Sequence, residues 1–395
     1  MKNSWQIKKL DDLIEDEVIE LTRGKVISRK DLDAHPGDFP VYSSAKENDG
    51  MFGSYGKYMF DEELITWSVD GGGRLFHRPR HKFSVTNVGG ILRIKDNNII
   101  DCRYLFYVLT FLHSQVIFDW VKKAHPSVIR QIYNDIPLPP LPEQKRIVKV
   151  LDEVFEGINK AKANAEKNLA NAKELFESYL QGIFGTTDAH RLTQIKKGWA
   201  EKSLEEIGTI TSSKRIYRRE YIREGIPFYR IKEVKELANE KEITTDLYIS
   251  EKRYTEIKDV FGVPKEGDIL MTAVGTIGKI YVVKNDGRFY FKDGNVLWFK
   301  DFNSIDPYFL KFALMVFVET IKRLSIGAAY NALTIEKLEK YKIRIPPLPE
   351  QRAIVAKLDA LAEQTKKLEA IYQQKLAGLE ELKKSVLQKA FKGEI

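Results

Sequence analysis

The residues with the clearest potential for chemistry lie in a basic, aromatic-rich segment of the second half of the chain. Residues 212–232 carry seven lysines and arginines against two glutamates, with four aromatic side chains among them. Basic side chains release counterions from DNA phosphates and donate hydrogen bonds to guanine edges in the major groove. The segment therefore predicts a DNA interface, although a solvated, salt-bridged surface strand has the same composition. The predicted contact residues are Lys214, Arg215, Tyr217, Arg218, Arg219, Tyr229, Arg230 and Lys232.

A second basic segment, residues 74–82, lies in the first half, and we give it the same two interpretations. A Ser/Asn-rich stretch at residues 43–48 is a weaker candidate, because such stretches are commonly turns. A loop near residue 330 fits a base contact and a helix cap equally well. The additional predicted DNA contacts are Ser43, Ser44, Lys46, Arg74, His77, Arg78, Arg80, His81, Lys82, Lys279, Tyr330 and Asn331.

Other motifs that resemble catalytic or metal sites have simpler explanations. His77 and His81 are four residues apart, as zinc ligands on a helix would be, but Pro79 between them breaks a helix. Cys102 borders an apolar stretch and is interpreted as a packing residue. The sequence GTIGK at residues 275–279 lacks the spacing of a phosphate-binding P-loop and is read as a turn before a strand. We predict no metal site.

The sequence also argues against an enzyme. Transfer of a methyl group to adenine would need a glycine-rich cofactor loop and an Asp/Asn-Pro-Pro-Tyr/Phe box, and the chain has neither. The order of serine, histidine and aspartate residues along the chain does not indicate a catalytic triad. We therefore expect no catalytic residue and no cofactor on this chain. The rival hypothesis is a self-sufficient methyltransferase or nuclease.

The bulk composition limits the cellular setting. The chain has 395 residues and one cysteine, so no intramolecular disulfide can form and a reducing compartment is expected. The N-terminus lacks a signal peptide's apolar core, and the longest apolar runs, about ten residues each, are too short to span a bilayer. A soluble, cytoplasmic protein without a membrane partner is predicted. Its net charge of +8 favours an acidic partner.

A long repeat organises the chain. Residues 136–184 and 343–391 align without a gap, and 22 of the 49 positions are identical. Each copy opens with a proline cluster followed by Leu-Pro-Glu-Gln. Proline is tolerated in the first turn of a helix, and the acidic group beside it meets free backbone amides. A helix is therefore predicted to begin there in both copies.

Apolar residues recur every three or four positions over about 40 residues of each copy, which is typical of coiled-coil helices. Neither helix is stable alone, so we expect the two to pair. A duplicated chain with a pseudo-twofold axis would pair them antiparallel, with the two preceding segments at opposite ends of a rod. The packing residues are predicted to be Ile147, Leu151, Val154, Ile158, Leu169, Leu175, Ile354, Leu358, Leu361, Leu368, Leu376 and Leu379.

The segments before the helices are predicted to be small mixed α/β domains, which gives an α+β fold. Glycine-bounded strand patterns occur at residues 63–69, 89–94, 267–272, 278–283 and 295–299. The repeated helices are nearly neutral, so most of the basic excess belongs to these domains. The predicted division is a first domain at 1–140, a helix at 141–185, a second domain at 186–347 and a helix at 348–395.

In order and in duplication, these motifs resemble the specificity subunit of Type I restriction–modification systems over essentially the whole chain. The resemblance is carried by PPLPEQKRIV and PPLPEQRAIV, and by the motifs at 40–44, 67–71, 86–90, 228–232, 267–270 and 275–279. It implies two target-recognition domains that read a bipartite, asymmetric DNA sequence in the major groove. It also implies that the helices dock two methyltransferase subunits and that a nuclease subunit adds on.

What the resemblance implies about cofactors concerns the partners. S-adenosylmethionine, Mg²⁺ and ATP are expected on the methyltransferase and nuclease subunits and not on this chain. Two alternatives remain at this point: the recognition subunit of a Type II restriction–methylation enzyme, and a coiled-coil scaffold that does not bind DNA.

Overall fold

In the computed structural model the chain is described at residues 5–44, 48–70, 72–116, 123–185, 198–284, 287–324 and 334–395. These residues form two compact units. The first unit comprises Met1–Lys167 and Tyr372–Ile395, and the second comprises Asn168–Ile371. Each unit therefore contains one globular domain and part of each repeated helix.

A six-stranded sheet forms the centre of the first unit, in the order β2-β7-β5-β6-β3-β4. Its pairs are antiparallel except that of β3 with β6, which is parallel. A separate antiparallel pair joins β1 to β8. The strands are β1 (Gln6–Lys8), β2 (Ile19–Arg23), β3 (Phe39–Tyr42), β4 (Met51–Tyr55), β5 (Phe60–Ser68), β6 (Leu75–Val85), β7 (Gly89–Ile94) and β8 (Ile136–Leu138). The helices are α1 (Leu10–Glu15), α2 (Arg29–Ala34), α3 (Cys102–His113), α4 (Pro126–Ile132) and α5 (Leu141–Phe184), which continues into the second unit.

The core of the first unit lies between one face of this sheet and helix α3. Trp67 of β5, Leu92 of β7 and Tyr104 of α3 are buried there. A β-carbon added at position 90 would lie 1.9 Å from the Trp67 ring, so only glycine fits at this point of β7.

The second unit is built from smaller sheets. An antiparallel four-stranded sheet has the order β10-β16-β13-β14, a three-stranded sheet has the order β12-β11-β15, and β9 pairs with β17. Its strands are β9 (Ala200–Ser203), β10 (Thr209–Thr211), β11 (Ile226–Tyr229), β12 (Tyr248–Ile249), β13 (Ile269–Thr272), β14 (Ile280–Val282), β15 (Tyr290–Phe291), β16 (Val296–Lys300) and β17 (Lys342–Ile345). Its helices are α6 (Leu204–Ile207), α7 (Ile231–Ala238), α8 (Glu251–Val260), α9 (Pro307–Leu324), α10 (Ile335–Glu339) and α11 (Leu348–Phe391), which continues into the first unit.

The strand predictions are confirmed. The pattern at residues 89–94 coincides with β7, and the patterns at 63–69, 267–272, 278–283 and 295–299 overlap β5, β13, β14 and β16. The predicted α+β class is therefore correct. The apolar stretches near residues 104–112 and 309–318 are helices α3 and α9. Among the described residues, no helix has both the length and the apolar character needed to cross a bilayer.

Helices α5 and α11 pair antiparallel within each unit, as predicted. In the first unit, Ile147 and Leu151 near the start of α5 share a buried cluster with Leu387 and Phe391 at the end of α11. In the second unit, Leu180 near the end of α5 clusters with Leu358 near the start of α11.

Two positions of the predicted packing stripe are wrong. Leu175 and Leu368 have 58% and 39% of their surface exposed. The buried or half-buried positions around Leu175 are Ala172 and Phe176, and Thr365 is buried near Leu368. The buried face of α5 continues there through Ala172, Phe176 and Leu180, so the step of three from Ala172 to Leu175 leaves it. The other predicted packing residues are buried or half-buried: Ile147, Leu151, Val154, Ile158, Leu169, Ile354, Leu358, Leu361, Leu376 and Leu379.

The glutamine of each Leu-Pro-Glu-Gln motif joins the long helix to the domain before it. Gln144 is fully buried; its Oε1 accepts from the Asp101 amide at 2.9 Å, and its Nε2 donates to the carbonyls of Ile99 at 2.9 Å and Pro139 at 2.8 Å. Asp101 in turn caps helix α3, its carboxylate accepting from the Tyr104 amide at 2.9 Å. One side chain thereby fixes the start of α5 to the start of α3.

The second copy repeats this arrangement. Gln351 Oε1 accepts from the Asp306 amide at 2.7 Å, and Nε2 donates to the carbonyls of Ser304 at 3.1 Å and Pro346 at 2.8 Å. Asp306 caps α9 through the Tyr308 amide at 2.9 Å. In both copies the glutamine pairs one buried proline carbonyl and two part-buried backbone groups.

Candidate nucleic-acid interface

The basic segment of the second unit lines a groove of about 810 Å³. Residues 212–217 cross over the turn between β15 and β16, and three contacts hold them there. Ser212 Oγ accepts from the Gly294 amide at 2.9 Å, Ser213 Oγ donates to the Phe291 carbonyl at 2.7 Å, and the Lys214 amide donates to the Tyr290 hydroxyl at 2.7 Å. The basic side chains that follow are therefore carried on a backbone fixed to the sheet.

Four predicted contact residues, Arg215, Tyr217, Arg218 and Arg230, line this groove. Tyr217 is 55% exposed. Arg218 is exposed and forms no ion pair with any residue in the described parts of the chain. Arg219 lies outside the lining, its guanidinium 5.4 Å from the centre of the Tyr217 ring. An exposed aromatic ring beside unpaired guanidinium groups is suited to phosphates and base edges.

Arg215 and Arg230 are already engaged by carboxylates. Arg215 Nε donates to Asp293 at 2.7 Å across the groove, and this pairing raises the pKa of Arg215. Arg230 Nη2 donates to Glu233 at 2.9 Å and to Asp246 at 2.7 Å. Burial alone would raise the pKa of Glu233, but the hydrogen bonds from Arg230 lower it. These contacts hold the Arg230 side chain at the edge of the groove, and its predicted base contact stays a prediction.

The remaining predicted residues of this unit are scattered. Tyr229 is half-buried and stacks on Phe289 at 4.7 Å, so its ring is occupied within the core. The Lys214 ammonium lies 4.7 Å from the Phe261 ring. Lys232 is exposed at the start of α7. Lys279 lies in a different cleft, about 720 Å³ in volume, beside α9.

Sequence analysis missed Lys292 and Asn295, which line the same groove as Arg218. They flank the turn that holds residues 212–217. The residues around Asp293 form no periodic pattern that would mark a binding segment. Arg215 and Asp293 are 78 positions apart, so their pairing depends on the tertiary fold.

The basic segment of the first unit is a strand and not a loop. Residues 75–82 belong to β6, which pairs with β5 and β3 inside the six-stranded sheet. Its register with β5 shifts where Pro79 and Arg80 oppose Glu63, a bulge that suits a proline without an amide donor.

Arg78 is buried, which contradicts its prediction as a DNA contact. It is 4% exposed; Nε donates to Thr66 Oγ1 at 3.0 Å, Nη2 donates to the Asp49 carbonyl at 2.6 Å, and its guanidinium lies 3.5 Å from the centre of the Tyr42 ring. Burial lowers the pKa of Arg78 to about 10, so the group is still charged at neutral pH. Residue type predicted a surface cation here, but the hydrogen bonds and the Tyr42 ring offset the cost of burying the guanidinium group.

Two histidines of β6 also have internal partners. His77 Nε2 lies 2.6 Å from Glu63 Oε1, and its ring contacts Phe106 of α3. His81 stacks on Phe83 at 4.6 Å and lies 3.1 Å from the Tyr42 hydroxyl.

Three predicted cations of the first unit remain exposed: Arg74, Arg80 and Lys82. Arg80 pairs loosely with Asp61 at 3.4 Å, and the Lys82 ammonium lies 4.8 Å from the Tyr58 ring. These cations are the DNA-contact candidates that the geometry retains in this unit.

The polar loop candidates are bonded or outside the described residues. Ser43 accepts from the Thr86 hydroxyl at 2.9 Å, and Ser44 donates to the Val88 carbonyl. Lys46, Tyr330 and Asn331 lie outside the described residues, so their predictions stay predictions.

Comparison with known proteins decides the family. The model of the Type I restriction modification DNA specificity domain matches twice, at residues 2–168 and 196–378. The chain belongs to this family. The two matches correspond to the two halves that the internal repeat defines, and each includes one of the candidate surfaces described above.

Individual relatives cover most of the chain. It is 27% identical to a protein of Haemophilus influenzae named as a type I restriction enzyme specificity subunit, over 82% of this chain and 80% of that one. The MjaVIII specificity subunit of Methanocaldococcus jannaschii is 25% identical over 90% and 86%. The fold is similar to a chain in a solved type I restriction–modification system, with a TM-score of 0.72 at 19% identity and coverage of 99% and 98%. It is also similar to the HsdS subunit of Thermoanaerobacter tengcongensis, with a TM-score of 0.57, 19% identity and coverage of 100% and 98%.

Proposed function

We propose that this specificity subunit reads DNA directly and performs no catalysis of its own. The observation that carries the proposal is the groove of the second unit, where Tyr217 and Arg218 stand exposed on a backbone fixed to the sheet. Rigid placement of a few side chains is what discrimination between bases requires. The first unit would use Arg74, Arg80 and Lys82 in the same way.

We further propose that the target is bipartite and asymmetric. The two units present unlike surfaces: the first carries its cations on and beside a strand of a six-stranded sheet, and the second carries them on a loop above a groove. Unlike surfaces would read unlike half-sites in two major-groove segments, with unread bases between them.

The partners proposed for this subunit are two methyltransferase subunits and the nuclease subunits, which would hold S-adenosylmethionine, Mg²⁺ and ATP. Apolar side chains that no described residue covers support docking on the long helices. In the second unit these include Leu175 and Ile371, which are 58% and 56% exposed, and Leu368, which is 39% exposed. Leu368 and Ile371 are three residues apart on α11 and so lie on one face of the helix, and an exposed apolar face favours a further protein contact.

Mapping methylated adenine in the genome of the host tests the function. We expect a two-part, asymmetric motif that is methylated when the gene is present and unmethylated when it is deleted. Restoring the gene should restore the motif. An unchanged methylation pattern after deletion would contradict the proposal, and a palindromic motif would contradict the assignment of unlike half-sites.

The Arg218→Ala variant tests the groove. If Arg218 reads a base, affinity of the assembled complex for its target should fall by about 1–3 kcal/mol, measured by titration of labelled DNA. Affinity for unrelated DNA of the same length should fall much less. Equal losses on both would make Arg218 a phosphate contact.

The matched control for this experiment is Arg223→Ala. Arg223 is an exposed arginine five residues further along that does not line the groove. Arg223→Ala removes the same charge as Arg218→Ala. A loss of DNA affinity that both variants share therefore reports the general electrostatic attraction to DNA. Target affinity that is unchanged by Arg218→Ala would exclude the groove as the reading surface.

A further inference from the structure

Three side chains that can bind a metal converge in the first unit. They are Glu63 of β5, His77 of β6 and Cys102, the first residue of α3. One ligand atom from each, a carboxylate oxygen, an imidazole nitrogen and the thiol sulfur, lies within 4.8 Å of the others. Among the described residues this is the one such group with three or more members.

The sheet register explains why they meet. His77 pairs with Ile65 of β5, and Ile65 belongs to the buried face that packs against α3. Side chains two apart on a strand share a face, so Glu63 lies on that face as well. Cys102 is buried where the first turn of α3 approaches the sheet, and Phe106, one turn further, contacts the His77 ring.

The ligand chemistry suits zinc. Zinc binds thiolate sulfur at about 2.3 Å and imidazole nitrogen or carboxylate oxygen at about 2.0–2.2 Å in a tetrahedron, which sets neighbouring ligand atoms roughly 3.3–3.7 Å apart. The separation of 2.6 Å between His77 Nε2 and Glu63 Oε1 must widen by less than about 1 Å to admit the ion. Glu63 can make this movement because its side chain is substantially exposed.

An ion can also reach this position. The Glu63 side chain is 44% exposed, which provides access from solvent on its side of the cluster. His77 also lines a cleft of about 460 Å³, whose walls include neither Glu63 nor Cys102. The same cleft is lined by the cations Arg74, Arg78, Arg103 and Lys383. Arg103 is paired with Asp152 at 2.9 Å, and Arg78 is hydrogen-bonded to Thr66 and to the Asp49 carbonyl. Without a metal, burial and the Glu63 carboxylate raise the pKa of Cys102, so its thiol is neutral in the core.

We propose that Glu63, His77 and Cys102 form a zinc site with water in an open fourth position. The site would fasten the start of α3 to strands β5 and β6. Strand β6 carries Arg80 and Lys82, two of the DNA-contact candidates of this unit. The competing explanation is a plain Glu63–His77 ion pair beside a thiol that only fills space.

Cobalt distinguishes the two explanations because the chain has a single cysteine. Titrating metal-free full-length protein with Co²⁺ should give one tightly bound equivalent with a thiolate-to-cobalt charge-transfer band, and Zn²⁺ should displace it. That band can arise from Cys102 alone. Cys102→Ser should abolish it, and His77→Gln should weaken binding roughly tenfold or more, whereas His125→Gln, at an exposed histidine, should change neither.

Two results would overturn the site: saturation with Co²⁺ without a thiolate band, or equal affinity in the wild type and Cys102→Ser. If Cys102→Ser does not fold, Glu63→Gln serves in its place, because Glu63 is partly exposed. Glu63→Gln should keep the band and weaken Co²⁺ binding, and unchanged affinity would remove Glu63 from the site.

Discussion

Replacing Gln351 by alanine should lower the free energy of unfolding of the second unit by about 2–4 kcal/mol. The substitution leaves the Ser304 and Pro346 carbonyls and the Asp306 amide without the partner that now satisfies them. The bond to the Pro346 carbonyl is buried and the other two are part-buried. A buried polar group left unpaired costs about 1–3 kcal/mol, and water recovers part of this at the part-buried groups. Urea unfolding of the full chain, followed by circular dichroism, measures the loss.

Gln364→Ala is the matched control. Gln364 is exposed on the same helix, so its replacement removes the same side chain without a buried partner and should change stability by less than about 0.5 kcal/mol. Gln144→Ala should reproduce the large effect in the first unit, because Gln144 makes the equivalent three hydrogen bonds. A loss no greater than that of Gln364→Ala would show that the motif glutamines are not what holds the junctions.

The second large effect is expected at Arg78, where alanine should destabilise the first unit by about 2–4 kcal/mol. The change removes hydrogen bonds to Thr66 and to the Asp49 carbonyl and the stacking on Tyr42, and leaves a cavity in the sheet. Thermal unfolding of the full chain should show a lower midpoint. DNA affinity per folded molecule should be little changed, because the buried guanidinium does not face solvent.

Arg80→Ala provides the contrast two residues away. The Arg80 side chain is 76% exposed, and its single ion pair at 3.4 Å is worth less than about 1 kcal/mol. Stability should be nearly unchanged while DNA affinity falls. If Arg78→Ala instead reduced DNA affinity without loss of stability, the assignment of Arg78 to the core would be wrong.

The elements that sequence predicted well are those with a local signal. Strand β7 was bounded correctly by glycine and alternating apolar residues at 89–94, and the helix repeat placed the starts of α5 and α11 from proline chemistry alone. The antiparallel pairing followed from duplication. These features depend on neighbours within a few residues or on the repeat itself.

The errors share a different cause. Arg78 is polar by residue type, and its burial depends on a carbonyl 29 positions earlier and on a ring of another strand. The motif glutamines were read as helix-start signals, although two of the three hydrogen-bond partners of each lie more than 40 positions away. Contacts across such distances leave no pattern in a single sequence.

The paired junctions have an evolutionary consequence. Strand β1 with β8 and Gln144 closes one domain, and β9 with β17 and Gln351 closes the other, largely through backbone groups. Beyond these joints, the first domain contacts the long helices through side chains of α3, such as Tyr104, Tyr107 and Phe111. Sequence change elsewhere in the enclosed segment would leave both the main-chain joints and this packing in place, so the surface that faces DNA is the part of each domain with the most freedom to vary.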